Sequence, residues 1–407
     1  MRPGRRRHFV PVASFRLTNV AQATVAVSSP SPNMPIRQLH GVDGWGPIHI
    51  IQVDNHGDER EEPNGTLLSD LVVERLRSTS APVITDVILA FHGYDNDAAS
   101  ASSGYGAWMD AMARTWSKLD SLRRTPPVGF VPLLIGIAWP SMFLDPPTSS
   151  EAVHTATEVA TRDFDGAAAK YFGPDWTSFS QDTRDSVALT FNVVSTFGFS
   201  RFVRRAQEVG KKCGYQLLGR LQREATDRPG QLPPVGFHLF GHSLGAHVAL
   251  STVRGPQGDG GDPHWREVDS LFLVQAAVRA DCFASPHGLY TGLPEAAVKG
   301  VTVVTRSRSD RALKVMYRIA EGEWDGQLAL GVVGVKNAPC YGVMLSPYGP
   351  SGGHALVRGR LYNAEASQVI ESDIAAGIRR WALLGSHTNI TSPALMRFLG
   401  EAAAVAR

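Results

Sequence analysis

Short apolar runs recur along the chain from residue 83 onward, and segments with helical spacing separate most of them. Such runs, when they alternate with helices, are typical of strands buried on both faces of a parallel sheet. The pattern therefore predicts an α/β fold with a doubly wound, mostly parallel sheet. The predicted strands are Val83–Phe91, Val131–Trp139, Val235–Phe240, Leu271–Val278 and Val301–Thr305.

Two parts of the chain depart from this alternation. Residues 1–80 have weak periodicity apart from one alternating piece, Ile48–Val53, so we predict an N-terminal extension that supplies edge strands to a main domain at 81–407. Residues 141–199 are longer than a crossover between two strands requires. Within them, the apolar stretch Val187–Phe199 fits either an extra helix packed on the core or a helical cap or lid over a site.

Composition excludes several classes of protein. Of the 407 residues, 43% are hydrophobic and 19% are charged, which is typical of a globular chain and unlike a disordered, fibrous or coiled-coil chain. Basic and acidic residues number 40 and 38, so no large field of one sign points to nucleic acid as a partner. No window of 18 residues is uncharged and apolar throughout, so we expect no transmembrane segment.

Cysteine usage and the N-terminus bear on the cellular compartment. Cys213, Cys282 and Cys340 are far apart in sequence without a CxxC pair, which argues against a disulfide framework or a Cys-rich zinc site. A reduced, cytoplasmic protein is the expectation. The basic run Arg5–Arg7, followed by Ala21-Gln22-Ala23, leaves twin-arginine export as an alternative.

The strongest chemical motif is Gly241-His242-Ser243-Leu244-Gly245, between the predicted strand Val235–Phe240 and a predicted helix, Ala246–Val253. A serine in a sharp strand-to-helix turn projects its hydroxyl from the edge of the sheet, and side chains in place of the two glycines would collide across the turn. The positive N-terminus of the helix also faces any negative charge that develops at the serine. The motif therefore predicts Ser243 as a nucleophile.

Three further segments accompany this motif: Phe91-His92-Gly93-Tyr94, Ala138-Trp139-Pro140-Ser141 and Ser307-Arg308-Ser309-Asp310-Arg311-Ala312-Leu313. Together with the serine motif they resemble the α/β-hydrolase superfamily, most closely its branch of uncharacterised bacterial serine hydrolases. The resemblance covers residues 83–400. It implies a sheet of α/β-hydrolase type and a Ser–His–Asp triad, and it does not imply a substrate.

The resemblance also implies two backbone donors for an oxyanion. In families of this kind, one N–H group comes from the residue after the nucleophile, here Leu244. The other comes from the loop after an earlier strand. Because His92-Gly93-Tyr94 follows such a strand, Tyr94 is the second candidate donor.

The acid of the triad has two candidates. It is expected on a loop after a strand that follows the nucleophile in the chain. Asp310 follows Val301–Thr305 by a short polar stretch and is favoured. Asp281 follows Leu271–Val278 and is the alternative, because related folds can place the acid after that strand.

The base also has two candidates, since it comes last in the order Ser, Asp, His. His387 precedes a predicted helix that starts near Thr391-Ser392-Pro393, where Ser or Thr can cap and Pro fits the first turn. A loop that leads into a terminal helix is where the family's histidine usually lies, so His387 is favoured. His354, in Ser351-Gly352-Gly353-His354, is the alternative.

The sequence thus predicts a serine hydrolase that cleaves a small-molecule carboxylic ester through an acyl-enzyme on Ser243, with His387 as the base and Asp310 orienting its ring. No cofactor is expected. His242 and His247 are five residues apart without a third suitably spaced metal ligand, and no nucleotide-binding glycine motif follows a strand. A lipase, a thioesterase or an acyltransferase would use the same groups, and a catalytically silent hydrolase-fold binding module is the alternative from another class.

Overall fold

The described part of the chain folds around one sheet of nine strands. The strands are β1 (Gln38–Val42), β2 (Gly46–Gln52), β3 (Asp86–Phe91), β4 (Pro132–Ala138), β5 (Gly236–His242), β6 (Val268–Val274), β7 (Val298–Arg306), β8 (Tyr341–Met344) and β9 (Arg360–Glu365). This computed structural model describes residues 38–42, 45–79, 82–94, 98–119, 129–141, 199–230, 232–256, 265–310, 312–317, 328–348, 353–370, 387 and 389–406. All of them lie within one compact unit, Ile36–Arg407.

The strand order is β1-β2-β4-β3-β5-β6-β7-β9-β8. β1 pairs with β2 in antiparallel fashion, and every other pairing in this sheet is parallel. The direction of winding reverses at β3, because β4 lies on one side of it and β5 on the other. In open α/β sheets, such a reversal opens a crevice at the carboxyl ends of the strands, where ligands bind.

Helices cover both faces of the sheet. They are α1 (Leu68–Arg77), α2 (Ala98–Trp116), α3 (Phe199–Val209), α4 (Tyr215–Thr226), α5 (Gly245–Arg254), α6 (Leu293–Ala297), α7 (Leu330–Val333), α8 (Ser367–Ile370) and α9 (Pro393–Val405), with π-helical segments at Gly210–Gly214 and Ala312–Tyr317. Residues of α1, α3, α4 and α5 join one apolar core, and residues of α2 and α9 join a second core on the opposite face. The predicted α/β fold with a mostly parallel sheet is therefore confirmed.

Strand β3 shows why the predicted strands are mostly apolar. Val87 and Leu89 belong to the first core, whereas Ile88 and Ala90 belong to the second. Successive side chains of a strand point to opposite faces, so a strand covered on both faces has no position for a polar side chain that lacks a partner.

All five predicted strands are present, with shifted ends. β6 ends at Val274, before the end of the apolar run at Val278, because Gln275 takes the left-handed conformation with φ +44°. The alternating piece Ile48–Val53 corresponds to β2, which pairs with β4, while β1 forms the edge.

The π-helical segment Gly210–Gly214 joins α3 to α4. This segment packs closely on α5: a Cβ on Gly210 would lie 2.5 Å from Val248 O, and a Cβ on Gly214 would overlap the Thr252 side chain. The two glycines therefore permit an approach that larger residues would prevent.

Two parts of the sequence predictions fall on residues outside those described. They are the export alternative within 1–37 and the segment 142–198, which makes up nearly all of the predicted cap. Among the helices that are described, none combines the length and the apolar character needed to cross a membrane.

Candidate active site

Ser243 lies in the turn that joins β5 to α5. Its backbone is in the left-handed region at φ +54°, and the residue is 5% exposed. The turn leaves no room for side chains at its two glycines. A Cβ on Gly241 would lie 2.6 Å from Ala246 Cα, and one on Gly245 would overlap the carbonyl oxygen of Phe91. The predicted need for glycine therefore has a direct cause in the packing of α5 on the ends of β3 and β5.

Three backbone hydrogen bonds hold Ser243 in this conformation. Its N–H donates to Val274 O over 3.1 Å, and its carbonyl accepts from the N–H groups of Ala246 (3.1 Å) and Ala277 (3.0 Å). A left-handed conformation costs about 1–2 kcal/mol for a residue with a side chain. It persists where the surrounding structure fixes it, and such residues cluster at functional sites.

The loop after β3 lies against this serine. A Cβ on Gly93 would lie 2.8 Å from Ser243 Cβ and 3.3 Å from His242 Nδ1, so glycine is required at this approach. The next residue, Tyr94, packs its ring edge-on against Phe202 of α3, with ring centroids 5.1 Å apart. The loop that carries one of the predicted oxyanion donors is thus adjacent to Ser243.

The second predicted donor, the backbone N–H of Leu244, lies on the other side of the serine at the start of α5. Leu244 is buried, and its carbonyl accepts from His247 N–H over 3.0 Å. Among the described residues, no acceptor pairs with the Leu244 N–H. An N–H group at a helix N-terminus stabilises nearby negative charge.

His92 holds the loop after β3 as a neutral ring. Its Nδ1–H donates to Gly93 O over 2.8 Å, and its Nε2 accepts from Trp139 N–H over 3.1 Å. Burial lowers the pKa of His92 to about 4, although both hydrogen bonds act in the opposite direction. Because its ring nitrogens bind backbone groups of Gly93 and Trp139, His92 links the loop after β3 to the end of β4.

Asp310 and His387 form a buried pair. His387 Nδ1–H donates to Asp310 Oδ2 over 2.7 Å, and Asp310 has no solvent exposure. The other carboxylate oxygen accepts the backbone N–H of Leu313 over 2.9 Å. Asp310 follows the carboxyl end of β7, whose neighbour β6 pairs with the strand that leads into Ser243. The favoured acid and the favoured base are therefore in direct contact.

His242 connects this pair to the serine turn. Its Nε2–H donates to the carbonyl of His387 over 2.9 Å, and the two rings are 4.9 Å apart. Burial, and secondarily the neighbouring His387 ring, lower the pKa of His242 to about 3, so this ring is neutral at neutral pH. Among the described residues, no hydrogen bond joins Ser243 Oγ to the His387 ring.

The alternative acid and base have other partners. Asp281 accepts two hydrogen bonds of 3.1 Å from the Arg279 guanidinium. His354 Nδ1–H donates to Glu401 Oε2 of α9 over 2.7 Å, and the backbone N–H of His354 binds the same oxygen. Neither residue is in contact with the Asp310–His387 pair through the hydrogen bonds described.

Among the described residues, the other histidines near the turn have hydrogen-bond partners within the protein. The described residues contain no group of three or more His, Cys, Asp or Glu side chains that could hold a metal ion. His247, on α5, has its Nδ1 3.3 Å from the hydroxyl of Tyr290, which also contacts Ser251 Oγ over 3.1 Å. This polar cluster lies within the core between α5 and the loop that leads to α6.

Sequence reasoning missed one residue and one contact of the site. Gln275, directly after β6, donates from Nε2–H to Asp310 Oδ2 over 3.0 Å. Its signal was a single amide residue inside the otherwise apolar run Leu271–Val278. The contact between His242 and the carbonyl of His387 had no signal in the sequence, because it joins residues that are far apart in the chain.

The comparisons with known proteins add no relatives. No family model matches the chain, and neither the curated proteins nor the solved structures contain a match to it.

Proposed function

We propose that this chain is a serine hydrolase of α/β-hydrolase type that cleaves a carboxylic ester through an acyl-enzyme on Ser243. One observation carries the proposal: a left-handed serine in a strand-to-helix turn shares one edge of a parallel sheet with a buried Asp310–His387 pair. The chain order Ser, Asp, His and the location of the serine turn are those of the α/β-hydrolase arrangement.

The Asp310–His387 hydrogen bond determines what the imidazole can do. Because Nδ1–H donates to the carboxylate, the neutral ring carries its free lone pair on Nε2. In the proposed reaction Nε2 takes the proton of Ser243 as Oγ attacks the ester carbonyl. Asp310 holds the tautomer and stabilises the imidazolium without itself becoming protonated.

The oxyanion of the tetrahedral intermediate would be bound by backbone N–H groups of Leu244 and Tyr94. The unpaired Leu244 N–H among the described residues supports the first, and the contact of Gly93 with Ser243 supports the second by placing the loop beside the nucleophile. The imidazolium then gives its proton to the departing alcohol, and water hydrolyses the acyl-enzyme with His387 as the base. Thioesters and transfer of the acyl group to an alcohol require the same groups.

A second candidate function, a hydrolase-fold binding module without turnover, is favoured by one observation: within the described residues, Ser243 Oγ is not hydrogen-bonded to His387. Catalytic hydrogen bonds are often long in apo enzymes and tighten when substrate binds. The two candidates differ in whether an ester is turned over.

Hydrolysis of p-nitrophenyl acetate, butyrate and palmitate by the wild-type protein and five variants tests the proposal. We expect Ser243→Ala, Asp310→Asn and His387→Ala each to lower kcat by about 10³-fold or more, as for other Ser–His–Asp triads. The matched controls Asp281→Asn and His354→Ala should retain activity within about threefold, because their described hydrogen bonds go to Arg279 and Glu401, and residues that share no partner are weakly coupled. A folded wild-type protein that cleaves none of the esters supports the binding module, and loss of activity in the controls but not in Asp310→Asn or His387→Ala contradicts the proposed triad.

A further inference from the structure

We propose that Gln275 is a positioning residue of this site, and that its side-chain amide fixes the orientation and the charge distribution of the Asp310 carboxylate. The proposal rests on the proposed function, since it concerns the acid of the same triad. It adds a fourth side chain to the predicted Ser–His–Asp arrangement.

Gln275 is itself held in a defined place. It follows β6 directly, has no solvent exposure, and is one of few described non-glycine residues in the left-handed region, with φ +44°. Its backbone N–H donates to Thr305 Oγ1 of β7 over 3.0 Å. The left-handed backbone and this bond together aim the side chain across the end of β7 toward Asp310.

Among the described residues, three donors surround the Asp310 carboxylate. Oδ2 accepts from Gln275 Nε2–H over 3.0 Å and from His387 Nδ1–H over 2.7 Å, while Oδ1 accepts from Leu313 N–H over 2.9 Å. A carboxylate with donors on both oxygens cannot rotate without breaking one of these bonds. The plane of Asp310, and with it the direction from which His387 is held, is therefore fixed by Gln275 and Leu313.

A purely structural role does not account for this choice of residue. Burying an amide costs free energy unless the amide is hydrogen-bonded, whereas an apolar residue at position 275 would not carry this cost. The hydrogen bond to Asp310 explains why an amide is present here. Gln275 also lies after the strand where related folds place the acid, whereas Asp281, farther along the same loop, binds Arg279. Gln275, at the end of β6, thus binds the carboxylate of Asp310, which follows the neighbouring strand β7.

Gln275 and His387 share one acceptor oxygen, and this sharing has a measurable consequence. When the amide donor is removed, the negative charge of Oδ2 acts on the His387 ring alone, which favours the imidazolium. The other described titratable groups near the pair are His242, which contacts His387, and His92, which lies beside His242. Lys314, on the π-helical segment after Asp310, is exposed. None of them contacts Gln275 through a described hydrogen bond.

The test uses Gln275→Asn and Gln275→Met in the full chain. Asn keeps an amide and tolerates the left-handed conformation, but it is too short to reach Asp310. Met keeps the length and lacks the donor. In both variants we expect kcat to fall about tenfold with KM changed less than about threefold, which is the size of effect seen when a residue that orients a metal ligand by a hydrogen bond is replaced. We also expect the acidic limb of the kcat/KM profile to move upward by about half a pH unit.

Ser251→Ala is the matched control, because it removes another buried hydrogen bond that is remote from the carboxylate. Ser251→Ala should leave the acidic limb of the kcat/KM profile at its wild-type pH. An acidic limb at the wild-type pH in whichever Gln275 variant folds overturns the proposal. If only one variant folds, that variant decides.

A second readout, which needs no substrate, distinguishes failure of the proposed function from failure of the proposal for Gln275. The protonation of the His387 ring is followed by NMR in protein with labelled histidine, with His387→Gln used for assignment. If wild-type protein turns over no ester, the proposed function fails, while an upward shift of this titration in Gln275→Asn still supports the coupling. An unchanged titration in the variant overturns it.

Discussion

The left-handed backbone of Ser243 makes a prediction about stability that does not depend on substrate. Ser243→Gly and Ser243→Ala both remove the hydroxyl, but only glycine relieves the conformation at φ +54°. The comparison needs a reference position, and Ser251 provides one. It lies in the regular part of α5, it is also buried, and a Cβ on the neighbouring Gly210 would lie 2.6 Å from its Cβ, so both serines are tightly packed.

The magnitude follows from what differs between the two positions. Replacing Ala by Gly loses a buried methyl group and raises the entropy of the unfolded chain at both sites, so these contributions cancel when the two comparisons are subtracted. What remains is the relief of the left-handed conformation, about 1–2 kcal/mol. The free energy of unfolding of Ser243→Gly, relative to Ser243→Ala, should therefore be higher by this amount than the corresponding difference at Ser251.

Urea unfolding followed by tryptophan fluorescence measures the four variants, with a common slope used to convert midpoints into free energies. Equal Ala-to-Gly differences at positions 243 and 251 would refute the reasoning, because they would mean that no strain is stored in the serine turn.

Two further predictions concern packing and acid stability. Gly245→Ala should lower the free energy of unfolding by at least about 3 kcal/mol, because its Cβ would overlap Phe91 O. Gly104→Ala in α2, where a Cβ meets nothing within 4 Å, should raise it by about 0.5 kcal/mol, and equal effects in urea unfolding would contradict the packing described. For the acid range, burial lowers the pKa values of His92 and His247 from 6.5 to about 4. The unfolded chain therefore binds protons at a higher pH than the fold does, and stability should fall as the pH is lowered from 6.5 toward 4. A urea midpoint that is constant across this window would count against neutral buried rings.

Much of the sheet could be predicted because its central strands are buried on both faces. β3 and β4 have no exposed position, so their sequences are apolar except for Asp86 at the start of β3, and they stand out from the rest of the chain. β8 and β9 were missed for the opposite reason. The side chains of β8 are mostly exposed at the edge of the sheet, and β9 carries polar and apolar residues in a short segment. Neither strand therefore has an apolar run that distinguishes its sequence from that of a loop.

The candidate site likewise has one part that could be predicted from local sequence and one part that depends on the fold. The serine turn is local in sequence, so the two glycines beside Ser243 predicted its geometry. The partners Asp310 and His387 are brought together by the sheet, and sequence reasoning had to choose each of them between two candidates. The structure brings the two favoured residues into contact at 2.7 Å. Gln275 was read as part of a strand, because periodicity alone does not reveal where a backbone turns left-handed.

The central claim is that Ser243 is a nucleophile activated by His387, and covalent labelling tests it most directly. The wild-type protein and Ser243→Ala are treated with a fluorophosphonate probe, digested and analysed by mass spectrometry, with unfolding curves recorded to show that both are folded. We predict one modified peptide in the wild-type protein, with the adduct on Ser243, and no modified peptide in the variant. A folded wild-type protein that remains unmodified, or an adduct that persists in Ser243→Ala, would contradict the account.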